Sequence, residues 1–390
     1  MRKNILDNGA FFGFASGLLS VHQNFFYQSI SLSSVSIGMI SMFGAVATMG
    51  LALPAGNFAK CIGYYPVCII GGILQGVGLL LTGLVLSPWA SYVGFFIYSI
   101  GLTFIHAVEF PYLVNMVEPN HKSSAYFYLI LVFSLSSVMG SLAGQWMNFI
   151  TVPWLNPYQL SMIISAIGFF LFSVFRFHLP NIHPISSSVP FETSKTSYLQ
   201  LIKKPPILAF LGYKLFFSIS LSLLGSQLNI VYREVFNFSD LLVSKLYSIS
   251  TLLTLITLIV FPNIIRKKSS DKVSSAILLT MVFVFALSIL GNSYLFVMMM
   301  MIRSALSQVF PVVIESRMLV ALPQHYQAGY ASLRVLIASL GQGIGSLLTG
   351  YFLTYLDFRY MMIAGFFVMI ITAILFLRKC KPHMNLLQAF

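Results

Sequence analysis

The sequence predicts an all-α integral membrane protein with twelve transmembrane helices in two six-helix bundles. Three observations predict this fold class: the composition, the number of long apolar runs and an internal repeat. Of the 390 residues, 58% are hydrophobic and 8% are charged, and the mean hydropathy is +0.88. Soluble globular proteins carry about 25% charged residues. Lipid is therefore expected to solvate most of the surface of this chain.

Each predicted helix is an apolar run of about 20 residues, the length needed to cross the hydrocarbon core of a bilayer. Turn-forming sequences such as LSPWAS and TVPWLNPYQ separate the runs. The N-terminus is interpreted as a retained first helix, because it lacks a small-residue cleavage site. The predicted helices, numbered 1 to 12 along the chain, cover residues 6–28, 35–59, 64–86, 91–117, 122–146, 157–178, 206–231, 241–262, 273–291, 293–318, 327–352 and 358–378.

Lysine and arginine predict the orientation of these helices, because cytoplasmic loops collect most of the basic residues. When both termini are placed in the cytoplasm, most of the 22 basic residues, including Arg176, fall in inner segments. Trp89, Trp146 and Trp154 then fall at the outer boundary, where tryptophan is enriched. The net charge of +13 is therefore attributed to orientation in a cell membrane (plasma or inner membrane), and no nucleic-acid partner is expected.

A linker and a repeat predict the two bundles. Residues 179–205 are rich in Pro and Ser and are expected to form a cytoplasmic linker, which separates residues 1–178 from residues 206–390. MVEPNHKSSAYFYL at 116–129 resembles VALPQHYQAGYASL at 320–333, and AFFGF at 10–14 resembles AFLGY at 209–213. Since both matches join equivalent places in the two halves, they indicate an internal duplication.

Six plus six helices, an inner linker and a parallel repeat resemble the major facilitator superfamily of transporters over essentially the whole chain. GNFAKCIGYYP, after helix 2, keeps Gly56 and Gly63 of that family's loop motif, with Lys60 and Cys61 where the family has aspartate and a basic residue. The resemblance implies a central cavity that opens alternately to the two sides. It also implies that helices 1, 4, 7 and 10 line this cavity, while helices 3, 6, 9 and 12 usually face lipid.

The ionisable residues interpreted as lying inside the membrane, away from the helix ends, fall on helices 1, 4, 7, 10 and 11, and none falls on helix 3, 6, 9 or 12. A charged side chain at mid-bilayer costs roughly 2.5–3.5 kcal/mol on insertion scales, so these residues are expected to face a cavity or a partner. On helix 7 the stripe Lys214, Ser218, Ser222 and Gly225 gives the helix one polar side. The ionisable residues are His22 on helix 1, His106 and Glu109 on helix 4, Lys214 on helix 7, Arg303 and Glu315 on helix 10, and Arg334 on helix 11.

Two interpretations of Glu109 are open at this point. In the first, Glu109 loads and releases a proton and couples substrate movement to the proton gradient. His106 and Glu315 are further candidates for this coupling. In the second, Glu109 stays ionised and pairs with Lys214 or Arg334.

The predicted cavity is positively charged, because three cations face two carboxylates when the histidines are neutral. An anionic substrate is therefore favoured. Arg303 is the leading candidate for contacting it, and the alternative is that Arg303 pairs with Glu109. For His22 the alternative to a cavity role is a hydrogen bond between helices. The further cavity candidates are Lys214, Arg334, His22 and Gln308.

Glycine and proline residues in the helices are assigned to packing and gating. Small residues let helices approach closely in membranes, and a proline inside a helix removes a backbone hydrogen bond and permits bending. The candidates are Gly56, Gly63, Gly140, Gly144, Gly341, Gly345, Pro111 and Pro311.

The predicted function is secondary active transport of a small organic solute by a monomer in a lipid bilayer, with protons or another ion as the coupling partner. No enzyme, cofactor or metal is predicted, because catalytic and nucleotide motifs are missing and Cys61, Cys68 and Cys380 lack metal-ligand spacing. The resemblance favours export of a metabolite, siderophore-like compound or drug. The alternatives are an uptake carrier, a non-transporting membrane sensor or assembly partner, and an intramembrane enzyme.

Overall fold

Helices make up the described part of the chain, as the apolar runs predict. The computed structural model describes residues 2–52, 54–116, 122–147, 149–150, 152–177, 202–267, 270–290, 292–321 and 324–382. Within them, ten segments are long and apolar enough to cross a membrane. The all-α membrane class is therefore confirmed.

The helices follow the predicted order. The first half contains α1 (Arg2–Ser29), α2 (Ser34–Ala52), α3 (Pro54–Ile62), α4 (Tyr64–Leu84), α5 (Pro88–Met116), α6 (Lys122–Met147) and α7 (Pro157–Arg176). The second half contains α8 (Pro205–Gly225), α9 (Leu228–Ile230) with a π-helical turn (Val231–Val235), α10 (Asp240–Lys267), α11 (Ser270–Leu290), α12 (Ser293–Ala321), α13 (Gln324–Tyr355) and α14 (Phe358–Leu375) with a π-helical turn (Phe376–Cys380). Predicted helix 2 corresponds to α2 and α3, and predicted helix 7 to α8 and α9.

The prediction of one unbroken helix over 206–231 is corrected by the structure. Helix α8 ends at Gly225, and Gln227 leaves the helical region with φ −127° and ψ 31° before α9 begins. Hydropathy averaged over the run stays high and does not detect this interruption, although polar residues follow Gly225.

Two compact units result from the packing of these helices. One contains the described residues of 1–185 together with Gln227–Leu252, and the other contains those of 186–226 and 253–390. Residues 227–252, assigned to the second bundle from the sequence, thus pack with the first unit. Most of the predicted linker lies outside the described residues, and the division into bundles at 179–205 remains a prediction.

The two units repeat one packing scheme. In the first, α1 packs against α6 and α7, and α4 packs against α5 and α7. In the second, α8 packs against α13 and α14, and α11 packs against α12 and α14. Because each pair in one unit has its counterpart six predicted helices along the chain, the packing supports an internal duplication.

Glycines form the closest contacts in both units. A Cβ atom on Gly140 of α6 would overlap the carbonyl oxygen of Phe14 in α1. A Cβ atom on Gly341 of α13 would lie 2.7 Å from the carbonyl oxygen of Leu215 in α8, and one on Gly345 would meet the same helix one turn later. The backbones of these helix pairs therefore approach each other directly, as small residues allow in membranes.

Gly63 lies between α3 and α4 with φ 91°, a backbone conformation that favours glycine. Its N–H donates to the carbonyl oxygen of Ala59 at 3.0 Å. Gly56, Pro111 and Pro311 lie within α3, α5 and α12, and their surroundings fall outside the described residues. Their gating roles remain predictions.

Candidate functional site

Glu109 and Arg176 form an ion pair in the first unit. Glu109 on α5 accepts a hydrogen bond from Arg176 on α7, with 2.7 Å between Oε1 and Nη2. The Arg176 side chain is 3% exposed and the Glu109 side chain is 21% exposed. Arg176 is the last residue of α7, and Glu109 lies within α5, seven residues before its end.

This partner differs from the three that the sequence analysis expected, namely Lys214, Arg334 and Arg303. Arg176 was assigned to an inner segment, and predicted helix 6 was expected to carry no ionisable residue inside the membrane. The structure corrects this expectation, because Arg176 is buried at the end of that helix. Side chains on a helix point back toward its N-terminus, so a guanidinium at the last helical position lies over the preceding turn. That direction brings Arg176 to Glu109.

Aromatic and apolar groups surround the ion pair. The Arg176 guanidinium lies 4.6 Å from the ring centre of Phe172 and 5.8 Å from that of Tyr112, and Nη1 lies 3.7 Å from Sγ of buried Cys68. Opposite charges in such surroundings attract each other strongly. Removing one of them leaves the other buried without a compensating charge, at a high cost in free energy.

His106 lies one helical turn before Glu109 on α5, and its side chain is exposed. The charge of Glu109 acts on it electrostatically. The structure thus places two of the three proton-coupling candidates together. The third, Glu315, lies in α12, and its side chain falls outside the described residues.

Arg303 binds the carboxyl end of the interrupted helix α8. Its side chain is buried, and Nη1 donates to the carbonyl oxygen of Leu221 at 2.9 Å. The guanidinium lies against Gly225, where a Cβ atom would be 3.2 Å from Nη2. A cation is favourable at a helix C-terminus because the carbonyl groups there carry partial negative charge. Contact with a substrate remains a prediction for Arg303.

Two serines of the polar stripe of α8, Ser218 and Ser222, pack on α13. A Cβ atom on Gly341 would lie 2.8 Å from Cβ of Ser218, and one on Gly345 would lie 2.8 Å from Cβ of Ser222. The Ser222 hydroxyl donates to the carbonyl oxygen of Gln342 at 2.7 Å. The close approach of α8 and α13 thus explains why small side chains occupy these two positions, as well as their polarity does.

Lys214 and Arg334 carry positive charges on the neighbouring helices α8 and α13. Lys214 lies one turn before Ser218 on α8, and Arg334 lies on α13. Both side chains are partly buried, and their charges interact. Two cations on neighbouring helices produce a positive potential that favours an anion.

His22 on α1 contacts α7. It is fully buried, its Nδ1 lies 2.6 Å from the hydroxyl oxygen of Ser161 on α7, and its ring contacts Tyr158 edge-on. A Cβ atom on Gly144 would lie 3.2 Å from this ring. Gln308, another cavity candidate, is exposed on α12.

The sequence analysis missed a group of polar contacts around residues 227–240. Asn229 is fully buried and accepts a hydrogen bond from Asn24, and Tyr158 donates to Asp240. A search for charged residues inside membrane spans does not find these contacts. Asn24, Asn229 and Tyr158 are neutral, and Asp240 follows the predicted span. The polar sequence at 226–234, SQLNIVYRE, was the available signal.

Comparisons with known proteins agree with this fold. The family model described as Major Facilitator Superfamily matches residues 8–329. The structure resembles a mutant form of the nucleoside transporter NupG with a TM-score of 0.79, 15% identity and coverage of 97% of this chain and 99% of that chain. It resembles a D-xylose-proton symporter with a TM-score of 0.78 and 13% identity, covering 98% of each chain. These structural likenesses show the fold.

Multidrug resistance protein MdtH of Proteus mirabilis (strain HI4320) is 23% identical over 146 residues, which are 36% of this chain and 36% of that protein. The chain thus spans about a third of the length of this curated relative. The predicted fold and family are confirmed, and the described helices are those of a multi-pass membrane protein. The chain belongs to the Major Facilitator Superfamily.

Proposed function

We propose that this protein is a secondary active transporter that exports a small organic anion by alternating access in exchange for protons. The Glu109–Arg176 ion pair is the observation that carries the coupling part of the proposal. The basic residues of the predicted inner loops support an orientation with both termini in the cytoplasm.

Protonation of Glu109 provides the coupling step. Glu109 is partly exposed, so a proton can reach it, whereas Arg176 is almost fully buried. A neutral Glu109 leaves the Arg176 cation without its compensating charge in apolar surroundings. The interaction between α5 and α7 at this ion pair then differs in free energy between the two protonation states. A proton can therefore shift the conformational equilibrium.

Positive charge in the second half of the chain supports an anionic substrate. Lys214, Arg303 and Arg334 lie in predicted spans there, against one carboxylate, Glu315. The mutual repulsion of Lys214 and Arg334 is relieved when an anion binds near them.

Neutral replacements of these two cations test the substrate charge. Lys214→Gln and Arg334→Gln are each expected to raise the KM for an anionic substrate about tenfold, a loss of roughly 1.4 kcal/mol of binding. Arg359→Gln, which removes an exposed positive charge at the start of α14, is the matched control and should leave KM near the wild-type value. An unchanged KM in both the lysine and the arginine variant contradicts the anion assignment.

Export is supported by the name of the relative MdtH, a multidrug resistance protein. Proton coupling is supported by the similarity to a D-xylose-proton symporter, although that likeness rests on the fold. The symporter's name also favours uptake as a second candidate direction.

Purified protein in liposomes tests the proposed function. Liposomes are loaded with a cell metabolite extract, a pH gradient is imposed, and the compounds that cross the membrane are identified by mass spectrometry. We expect one class of small organic anions to move against its gradient, and collapse of the pH gradient to stop this movement. Movement that is unaffected by the pH gradient contradicts proton coupling, and the absence of any moving compound contradicts transport.

A further inference from the structure

We propose that basic side chains at one end of the second unit bind the headgroup of an anionic phospholipid in the cytoplasmic leaflet of the membrane. The ligand is a membrane lipid, whereas the proposed function concerns a transported solute. Only the choice of leaflet rests on the proposed orientation with both termini in the cytoplasm. The residues of this basic site come from the start of α8 and from the end of α14 with its π-helical turn, and they are Lys203, Lys204, Arg378, Lys379 and Lys381.

The two segments meet because α8 and α14 pack antiparallel. The Ser220 hydroxyl of α8 donates to the carbonyl oxygen of Gly365 in α14 at 3.4 Å. Further along the pair, the rings of Tyr213 and Phe376 have their centres 5.6 Å apart. Between these two contacts the residue numbers fall along α8 and rise along α14. The start of α8 and the end of α14 therefore lie at the same end of the second unit.

Buried side chains hold the π-helical turn in place. Phe376 is 1% exposed and Cys380 is fully buried, and the ring centre of Phe376 lies 5.5 Å from that of Phe310 on α12. The turn also packs against α8. Arg378 and Lys379 lie between the two buried residues and are exposed. The turn is thus anchored by its apolar residues while two cations remain at the surface.

The basic site lies at the depth of the lipid headgroups. One candidate membrane span begins directly after Lys204, and another ends directly before Lys381. Counted from the contact between Tyr213 and Phe376, Lys204 lies nine residues along α8 and Lys381 lies five residues beyond Phe376. At a rise of about 1.5 Å per residue, the two lysines differ in depth by about 6 Å. Long side chains from both segments can therefore reach one headgroup.

Both segments are positively charged, and neither 202–216 nor 372–382 contains an aspartate or a glutamate. The helix dipole accounts for Arg378 and Lys379, because cations are favoured at a helix C-terminus. It has the opposite effect on Lys203 and Lys204, because the N-terminus of α8 carries partial positive charge and the first turn contains no acidic residue. An anion bound between the two segments offsets this repulsion.

A phospholipid fits the basic site better than a soluble anion does, because apolar side chains continue from the cations into the membrane. Leu208, one turn after Lys204 on α8, is 55% exposed, and Ile374, one turn before Arg378 on α14, is 47% exposed. Acyl chains can cover these residues while the phosphate contacts the cations. Basic residues next to a membrane span are attracted to the anionic lipids of the cytoplasmic leaflet.

Lipid binding to the purified full-length protein in detergent tests the basic site. Phosphatidylglycerol and phosphatidylcholine with the same acyl chains are added in turn, and bound lipid is counted by native mass spectrometry. We expect phosphatidylglycerol to bind several-fold more tightly and to raise the thermal unfolding temperature more. An increase in NaCl from about 0.05 M to about 0.5 M should weaken its binding, because salt screens exposed charges. Equal binding of the two lipids, or binding that salt does not change, overturns the proposal without any variant.

Paired variants test whether both segments contribute. Lys203→Gln/Lys204→Gln and Arg378→Gln/Lys379→Gln should each weaken phosphatidylglycerol binding several-fold, because each removes two charges of the basic site. Lys203→Arg/Lys204→Arg keeps the charge and should bind as the wild-type protein does. If only one glutamine pair weakens binding, a site shared by the two segments is wrong.

The matched control removes two exposed cations from elsewhere in the chain. Lys245→Gln/Arg359→Gln changes one residue near the start of α10 and one at the start of α14, and it should leave phosphatidylglycerol binding unchanged. A loss as large as that of the glutamine pairs would show that net charge determines binding and would overturn the site.

Inorganic phosphate distinguishes the two sources of a phosphate group. We expect millimolar phosphate to leave phosphatidylglycerol bound, and displacement of the lipid by phosphate contradicts the lipid assignment. These measurements involve no transport. A failed lipid test therefore leaves the proposed function standing, and a failed liposome transport assay leaves the basic site standing.

Discussion

Glu109→Gln is expected to abolish accumulation driven by a pH gradient while substrate exchange continues. Glutamine keeps the size of the side chain but cannot carry a proton on and off. The same change leaves Arg176, which is 3% exposed, without its carboxylate. Removing one partner of a buried ion pair costs about 3–5 kcal/mol, so the thermal unfolding temperature should fall as well.

A double variant separates coupling from stability. Glu109→Gln/Arg176→Gln removes both charges, so it should recover much of the unfolding temperature lost in the single variant. Coupling should stay lost, because no titratable group remains at either position. Flux in liposomes and thermal unfolding in detergent are measured on the same preparations. Wild-type accumulation in Glu109→Gln removes Glu109 from the coupling role, and a double variant less stable than the single one contradicts the ion pair.

The helices were predictable from the sequence because a bilayer demands long apolar runs. The predicted range 157–178, for example, lies close to the observed Pro157–Arg176. The interruption after Gly225 was not predictable in the same way, since it depends on hydrogen bonds to residues distant in the chain. Arg303 satisfies the carbonyl oxygen of Leu221 on one side, and Asn229 bonds to Val21 on the other.

The candidate site was predictable in part. Glu109 could be identified from the sequence because a carboxylate in an apolar run is costly. Its partner could not, because identifying Arg176 requires the direction of its side chain in three dimensions. The periodic serines of α8 were visible in the sequence as well. Periodicity shows that residues share one face of a helix, but it does not show what that face contacts. In the structure, Ser218 and Ser222 contact glycines of α13.

Gly140→Ala is expected to destabilise the protein, whereas the same methyl group added at Gly212 should stabilise it slightly. A Cβ atom at Gly140 overlaps the backbone carbonyl of Phe14, so α1 and α6 must separate. Overpacking of this kind costs about 1–3 kcal/mol or more. At Gly212 in α8 nothing lies within 4 Å of the added atom, and alanine in a helix is favoured over glycine by about 0.5–1 kcal/mol.

Thermal unfolding and the yield of monodisperse protein measure this difference. The two variants are directly comparable, because each adds one methyl group to a membrane helix. Gly341→Ala should repeat the loss seen at Gly140, since its Cβ atom meets the backbone of α8 in the equivalent helix pair of the other unit. Equal shifts at Gly140 and Gly212 would show that helix propensity and not backbone contact determines the outcome. A loss at both Gly140 and Gly341 indicates that each unit depends on the same glycine-mediated contact between two helices.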